Sequence, residues 1–208
     1  MNETKLTAIL ATHNQGKIAE LKSLLSGSNW DVRDLSSAPG VTWEETGETF
    51  EENSLIKAKA VWEALTAEEK VTSYVIADDS GLCVDALGGS PGIFSSRYAG
   101  AHATDRDNYE KLLNKVASLP ENHRSAHFYC SIVLLSNKGH KTFEGIMKGK
   151  ISLAASGDHG FGYDPVFVPE GENITLASLP AEFKQAHSHR AQAVRKLSAY
   201  LLSTVDPD

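Results

Sequence analysis

A strand-like segment that leads straight into a helix-like one constrains the fold of this 208-residue chain more than any other feature. Residues 6–11 form a largely apolar run of the length of a buried strand, and a polar loop follows at residues 12–16. Beyond the loop, apolar side chains recur at helical spacing at Ile18, Leu21, Leu24 and Leu25. Because strands that alternate with helices are typical of α/β proteins, we expect that fold class.

The rest of the chain continues the alternation. The predicted helices cover residues 50–65, the segment from Thr104 or Asp105 to near Leu119, and a final segment that Ser188 can cap. The predicted strands cover residues 74–77, 127–135 and 143–151, the last two as an antiparallel pair. We therefore expect a mixed sheet with flanking helices in a single domain that spans residues 1–208.

Charge and composition exclude several classes of protein. The formal net charge of −7 disfavours a nucleic-acid-binding protein, which needs a cationic surface, but it permits a small polyanion if cations or a metal gather at one place. Cys83 and Cys130 lack a CxxC spacing, which predicts two reduced thiols in the core. Without a signal-peptide pattern or a membrane-spanning stretch, we expect a cytoplasmic protein that has neither nucleic acid nor a membrane as partner.

The first strand and helix enclose a candidate phosphate site. Backbone N–H groups at a helix N-terminus favour an anion above the strand end, and a lysine there adds positive charge. The residues concerned are Thr12, His13, Asn14, Gln15, Gly16 and Lys17. The spacing is not that of a Walker A loop. An ordinary strand-to-helix connection with a polar loop would have the same pattern, so both interpretations stay open.

Two acidic segments are candidate metal ligands. Glu44, Glu45 and Glu48 precede the second helix, where carboxylates suit Mg²⁺, although acids also favour a helix N-terminus without any metal. Asp78 and Asp79 follow an apolar strand directly, and the strand holds two charges near the core. The functional interpretation of this pair is a metal ligand or a residue that activates water, and the structural one is a turn after a strand.

Glycine alternates with aromatic residues in a later segment, which runs Gly160, Phe161, Gly162, Tyr163 and Asp164. Such a segment allows close backbone approach and can expose an aromatic face for stacking on a purine base. A tight hairpin packed by its own aromatic side chains would have the same pattern.

A basic segment surrounds the start of the last helix, with Lys184, His187, His189 and Arg190. Cations at a helix N-terminus are unfavourable for the helix dipole. His189 and Arg190 are therefore better explained if they bind an anion or the carbonyl of a base, whereas we interpret His187 as a surface histidine.

Taken in order, these motifs resemble the inosine/xanthosine triphosphate pyrophosphatase family over nearly the whole chain. The motifs that carry the resemblance are Thr12-x-Asn14-x-x-Lys17, Glu44-Glu45-Thr46-Gly47, Glu52-Asn53-x-x-x-Lys57-Ala58, Ala77-Asp78-Asp79-Ser80-Gly81-Leu82, Val84-Asp85-Ala86-Leu87-Gly88-Gly89-x-Pro91-Gly92, Ser96-Arg97-Tyr98, Phe161-Gly162-Tyr163-Asp164-Pro165 and Lys184-x-x-x-Ser188-His189-Arg190. Each motif is weak alone, but the ordered set is specific.

The resemblance implies an α/β fold with two lobes around a central cleft, a homodimer, and Mg²⁺-dependent hydrolysis of ITP, dITP and XTP to the monophosphate and pyrophosphate. It implies that Asp79 is the catalytic base and a metal ligand, with Glu44 as a further metal ligand. It assigns the phosphates to residues 12–17 and Ser80. It assigns the nucleotide to Phe161, Gly162, Tyr163, Asp164, Lys184, His189 and Arg190, the last two near the base. From the residues alone, Lys57 is either a structural ion-pair member or a candidate phosphate contact.

One position departs from the family pattern, and two other functions compete. Many members have glycine where this chain has His13, which would be strained if the backbone there needs a positive φ. The alternatives are a Maf-like pyrophosphatase for pyrimidine nucleotides and a nucleotide-binding regulator without turnover. The segment around Phe161 and the His189-Arg190 pair argue against the first, and Glu44 with Asp79 argues against the second.

Overall fold

The computed structural model describes residues 6–26, 30–37 and 40–205, which form a mixed sheet with helices. The strands are β1 (Leu6–Ala11), β2 (Trp30–Arg33), β3 (Ser73–Val84), β4 (Ser125–Ser136), β5 (Gly139–Ile151) and β6 (Phe167–Pro169). The α-helices are α1 (Gln15–Leu25), α2 (Phe50–Ala64), α3 (Ala67–Thr72), α4 (Asp105–Val116), α5 (Ala181–His187) and α6 (His189–Val205).

The sheet has six strands in the order β2-β1-β3-β4-β5-β6. β1 pairs in parallel with both β2 and β3, and β5 pairs with β6 in antiparallel fashion. β4 and β5 are neighbours joined by a two-residue turn, which only antiparallel strands allow. The predicted α/β class with a mixed sheet is therefore confirmed.

Helix starts follow from capping side chains. The Oδ1 atom of Asn14 accepts the N–H of Lys17 at 3.0 Å and begins α1. Thr49 and Thr104 form capping boxes at α2 and α4 with the acidic residue three positions later. The Oγ atom of Ser188 accepts the N–H of Ala191 at 3.1 Å, as predicted for the last helix.

The third strand differs from its prediction. We expected a strand at residues 74–77 that ends before the aspartate pair, but β3 continues through Asp78 and Asp79 to Val84. The apolar residues Leu82, Cys83 and Val84 that follow are buried, which extends the strand into a second core. The turn interpretation of the aspartate pair is therefore wrong, because both acids lie inside a strand.

The chain divides into two compact units, each with its own apolar core. The first unit contains residues up to 79, 131–144 and from 193 onward, and its core lies around Val61, Val75 and Val133. The second unit contains residues 80–130 and 145–192, and its core lies around Leu112, Phe128 and Phe167. The single domain and the central cleft stay predictions.

Cys83 and Cys130 are both buried and are not joined by a disulfide, as the sequence predicts. Within the described ranges, no helix is both long enough and apolar enough to cross a membrane.

Candidate active site

The loop before α1 is organised by its own side chains. Thr12 is buried, and its Oγ1 atom accepts the N–H of Asn14 at 3.2 Å. His13 is exposed and stacks on Trp43, with ring centroids 4.6 Å apart. Among the described residues only glycines have a positive φ. His13 therefore does not have the backbone strain that a positive φ at this position would cause. Gln15 and Gly16 lie in the first turn of α1, and their assignment to an anion site stays a prediction.

Two lysines bring the loop and α2 to the aspartates of β3. The Nζ atom of Lys17 forms an ion pair with the Oδ1 atom of Asp78, whose side chain is fully buried. The Nζ atom of Lys57 lies 2.7 Å from Asp79 Oδ1, 2.7 Å from Glu45 Oε1 and 3.2 Å from the carbonyl oxygen of Asp78. We call these five side chains the acid–lysine cluster.

Burial and neighbouring charges in the cluster shift the pKa values of Asp79 and Lys57. Burial raises the pKa of Asp79 above the usual carboxyl value and Glu45 adds to this effect, while Lys17 and Lys57 oppose it. Burial lowers the pKa of Lys57, but the carboxylates of Asp79 and Glu45 outweigh burial and raise it. The charged form of Lys57 is therefore favoured, and the raised pKa of Asp79 makes its carboxylate a better proton acceptor than an exposed aspartate.

The chemistry of Asp79 fits a divalent cation. Its Oδ1 atom is bound by Lys57, but its Oδ2 atom is buried and has no hydrogen-bond partner within the described part of the chain. A buried oxygen left unpaired costs roughly 1–3 kcal/mol, which a bound cation or water would recover. No group of three or more acidic, histidine or cysteine side chains arranged for a metal occurs among the described residues. Mg²⁺ typically uses one or two protein carboxylates and completes its shell with water and substrate phosphates, so Asp79 could serve as one of its ligands.

The acidic loop, residues 44–48, presents its first two glutamates differently. Glu45 is half-buried and its carboxylate is held by Lys57, whereas Glu44 is exposed and its carboxylate has no hydrogen bond or ion pair within the residues that the structure describes. Glu44 is therefore the carboxylate still available to a metal, and its assignment as a ligand stays a prediction. The sequence did not identify the ion pair of Glu45.

Two aspartate side chains, Asp164 and Asp105, bind backbone N–H groups of the glycine-aromatic loop, residues 157–164. Asp164 is only 2% exposed, and its Oδ2 atom accepts the N–H of Phe161 at 3.0 Å and binds the Nζ atom of Lys184 at 2.7 Å. The N–H of Gly162 donates to Asp105 Oδ2 at 2.7 Å. Since a Cβ atom on Gly160 would lie 2.0 Å from Asp164 Oδ2, only glycine fits there.

The aromatic side chains of this loop have different surroundings. Tyr163 is buried in the core of the second unit, where its hydroxyl donates to the carbonyl oxygen of Ser95 at 2.8 Å, and burial raises its pKa. Its side chain therefore anchors the loop. Phe161 is half-buried, with Lys184 Nζ 4.2 Å and Arg190 Cζ 5.8 Å from its ring centroid. The structure thus brings Phe161, Lys184 and Arg190 together.

Arg190 and His189 lie at the start of α6 and are almost completely buried. The Nη2 atom of Arg190 donates to Ser80 Oγ at 2.8 Å. The imidazole of His189 stacks on Phe128, with ring centroids 4.8 Å apart and an angle of 9° between the ring planes. His187, in contrast, is exposed, as predicted. Sequence patterns did not identify Phe128 or Asp105 as part of this site, because their partners lie more than fifty positions away in the chain.

Two sets of functional side chains are thus present. The acid–lysine cluster lies in the first unit, and the group of Phe161, Lys184 and Arg190 lies in the second. Both sets come from the motifs that carry the family resemblance. The model of the Ham1 family matches residues 8–200, which include both.

This chain belongs to the Ham1 family.

Individual relatives agree with this membership. The chain is similar to a dITP/XTP pyrophosphatase from Bacillus subtilis, with 44% identity over 197 residues that cover 93% of this chain and 96% of the relative. Among solved structures, the Ham1 protein of Staphylococcus aureus is 40% identical with a TM-score of 0.83, covering 95% of this chain and 99% of its own. A nucleoside-triphosphatase / dITP/XTP pyrophosphatase from Mycobacterium abscessus is 37% identical with a TM-score of 0.73, covering 92% and 97%. The Ham1 fold and the resemblance drawn from the sequence are confirmed.

Proposed function

We propose that this protein hydrolyses the non-canonical purine nucleoside triphosphates ITP, dITP and XTP to the monophosphate and pyrophosphate, with Mg²⁺ as cofactor. The observation that carries the proposal is Asp79, a buried carboxylate with one oxygen bound by Lys57 and the other without a partner in the described chain. Such a group can orient a water and accept its proton. Family membership directs this chemistry to a nucleotide substrate.

The charge balance of the acid–lysine cluster supports the requirement for a cation. Its three carboxylates, Glu45, Asp78 and Asp79, outnumber its two lysines, which leaves one negative charge. A triphosphate brings about four more negative charges, so the lysines alone would not neutralise it. When bound, Mg²⁺ would neutralise charge on the phosphate oxygens, and we assign Asp79 and Glu44 to hold it.

The chain's own residues would perform the remaining steps. The N–H groups at the start of α1, with Lys17 and Lys57, would bind phosphate oxygens. Asp79 would orient the attacking water and take its proton as the water's oxygen bonds to the α-phosphorus. The bond from that phosphorus to the bridging oxygen then breaks, and pyrophosphate leaves. Positioning and electrostatics supply most of the catalysis in such reactions.

Base selectivity would come from the second unit. Hypoxanthine and xanthine carry an oxygen at C6 where adenine carries an amino group. Arg190 is 1% exposed and fixed by Ser80, so a donor from Arg190 or His189 would face either a matching oxygen or a mismatched amino group. A buried donor without an acceptor costs roughly 1–3 kcal/mol, which disfavours adenine. Phe161 would stack on the base.

Pyrophosphate release from ITP, XTP, GTP, ATP and dTTP, each with Mg²⁺ and with EDTA, tests the proposal. We expect rapid release from ITP and XTP that needs Mg²⁺, and little release from ATP or dTTP. Preference for dTTP would instead establish a pyrimidine-directed enzyme, and no release from any of them would leave a nucleotide-binding protein.

The homodimer and the cytoplasmic location also belong to this proposal. Both follow from the family resemblance and the sequence. Sedimentation velocity of the purified protein should give twice the 22.5 kDa mass of one chain. A single species at the mass of one chain would refute the homodimer.

A further inference from the structure

A buried asparagine joins the acidic loop to helix α2. The Oδ1 atom of Asn53 accepts the N–H of Gly47 at 2.8 Å, and Asn53 is completely buried. A Cβ atom on Gly47 would lie 2.7 Å from Glu52 Cβ and 2.8 Å from Asn53 Oδ1. The loop therefore lies so close to the helix that only glycine fits at position 47, and the asparagine side chain fixes the loop there.

The same face of α2 carries the residues that meet β3. Lys57 lies one helical turn after Asn53 and binds both Glu45 and Asp79. Ser54 donates from its Oγ atom to the carbonyl oxygen of Ala77, directly before the aspartate pair, at 2.9 Å. One helix face thus fixes the acidic loop through Asn53 and the strand through Ser54, with Lys57 between the two acids.

Stability alone explains Asn53 poorly. Because its oxygen faces the N–H of Gly47, its Nδ2 atom must point away, and that atom is buried without a hydrogen-bond partner among the described residues. An unpaired buried amide nitrogen destabilises a fold. Local choices that work against stability are typical of functional sites.

We propose that Asn53 is a positioning residue that holds the acidic loop on α2, so that Glu45 reaches Lys57 and Glu44 lies where it can bind the metal. Asn53 touches neither substrate nor metal and acts through the backbone of Gly47. The metal part of this inference rests on the proposed function, whereas the structural part, the attachment of the loop, does not. Residues that orient ligands in this way typically change metal affinity about 10–100-fold when they are lost.

Two variants break the contact from opposite sides. Asn53→Ala removes the acceptor, and Gly47→Ala leaves Asn53 in place but pushes the loop away with a methyl group. We expect each to speed amide hydrogen exchange at residues 44–49 and to raise the Mg²⁺ concentration for half-maximal ITP hydrolysis about 10-fold, with kcat at saturating Mg²⁺ near the wild-type value. The double variant should resemble either single one, because both remove the same contact.

Asn108→Ala is the matched control. Asn108 is also a buried helical asparagine whose Oδ1 atom accepts a loop N–H, that of Ala99, at 2.7 Å. Its loss should lower the melting temperature in a similar way but leave the Mg²⁺ requirement unchanged. If the Mg²⁺ requirement rose equally in this control, general destabilisation would explain the rise in the Asn53 and Gly47 variants, and the proposal would be overturned.

The remaining outcomes also decide the question. Unchanged exchange at residues 44–49 in both variants would show that Asn53 does not hold the loop, and faster exchange without a higher Mg²⁺ requirement would show that the loop position does not matter to the metal. Both overturn the proposal.

If Asn53→Ala fails to fold, Gly47→Ala gives the same test. If the wild type does not hydrolyse ITP, the proposed function fails, and the exchange measurement alone decides whether Asn53 positions the loop.

Discussion

At the scale of single residues, the account depends on which carboxylates are already bound. Asp78 and Glu45 each have a lysine partner, while Asp79 has one bound and one open oxygen and Glu44 is exposed. The sequence predicted Asp79, Lys17 and Lys57 as functional residues, but it could not distinguish Glu44 from Glu45. The side chains of adjacent loop residues point in different directions, and only the position of Lys57 on α2 decides which glutamate it meets.

Asp79→Asn removes the proposed base and leaves the shape of the side chain nearly unchanged. We expect kcat for ITP to fall about 100-fold or more, because general bases typically contribute 10²–10⁴-fold. The circular dichroism spectrum should be unchanged. Turnover at the wild-type rate would refute the role of Asp79.

Glu44→Gln and Glu45→Gln form a matched pair at neighbouring positions. The first removes an exposed carboxylate assigned to Mg²⁺, so the Mg²⁺ concentration for half-maximal rate should rise at least about 10-fold with little change in melting temperature. The second removes an ion-pair partner of the buried Lys57, so the melting temperature should fall. If Glu45→Gln raised the Mg²⁺ requirement and Glu44→Gln lowered the melting temperature instead, the metal would be assigned to Glu45.

At the scale of elements, periodicity and capping residues predicted most of the long elements, and long-range contacts decided the rest. Residues 6–11, 50–65 and 127–135 were predicted to within three residues of their observed ends. β3 was predicted too short, because an aspartate pair normally ends a strand. Here Lys17 from α1 and Lys57 from α2 neutralise the pair, and neither partner is visible in the local pattern. The short elements β2, α3 and α5 carry too few residues for a periodic signal.

The glycine-aromatic loop allows a test of its conformation. Gly160 and Gly162 both have a positive φ, at +79° and +62°, but only a side chain at position 160 would collide with Asp164. Alanine at either position should cost about 1–3 kcal/mol through backbone strain. Gly160→Ala should in addition displace Asp164 from Lys184, so KM for ITP should rise more than in Gly162→Ala. Equal KM values in the two variants would argue against a role for Asp164 in positioning the loop.

The buried position of Cys83 in β3 allows a prediction about the reactivity of its thiol. Burial, together with the neighbouring charge of Asp85, raises the pKa of Cys83 to about 11. The raised pKa favours the neutral thiol, so almost no thiolate exists at pH 8 in the folded protein. A disulfide reagent such as DTNB should therefore react slowly with the native protein and rapidly with both cysteines in guanidinium chloride. Rapid reaction of one thiol in the native state would contradict the buried position of Cys83 or Cys130.

At the scale of the whole molecule, an acidic protein acts on an anionic substrate. The net charge of −7 means that affinity for a triphosphate depends on local cations rather than on the overall field. The sequence could predict this need, the α/β class and the order of the motifs, because each follows from residue types. It could not predict the ion pairs of Lys57 or the stacking of His189 on Phe128, because these depend on which segments the fold brings together.

The most direct test of the central claim is to hydrolyse ITP with Mg²⁺ in ¹⁸O-labelled water and to determine where the label goes. If a water activated by Asp79 attacks the α-phosphorus, the products are IMP and pyrophosphate, with the label in IMP and none in pyrophosphate. Release of IDP and phosphate, or label in the pyrophosphate, would place the attack at another phosphorus and contradict the account.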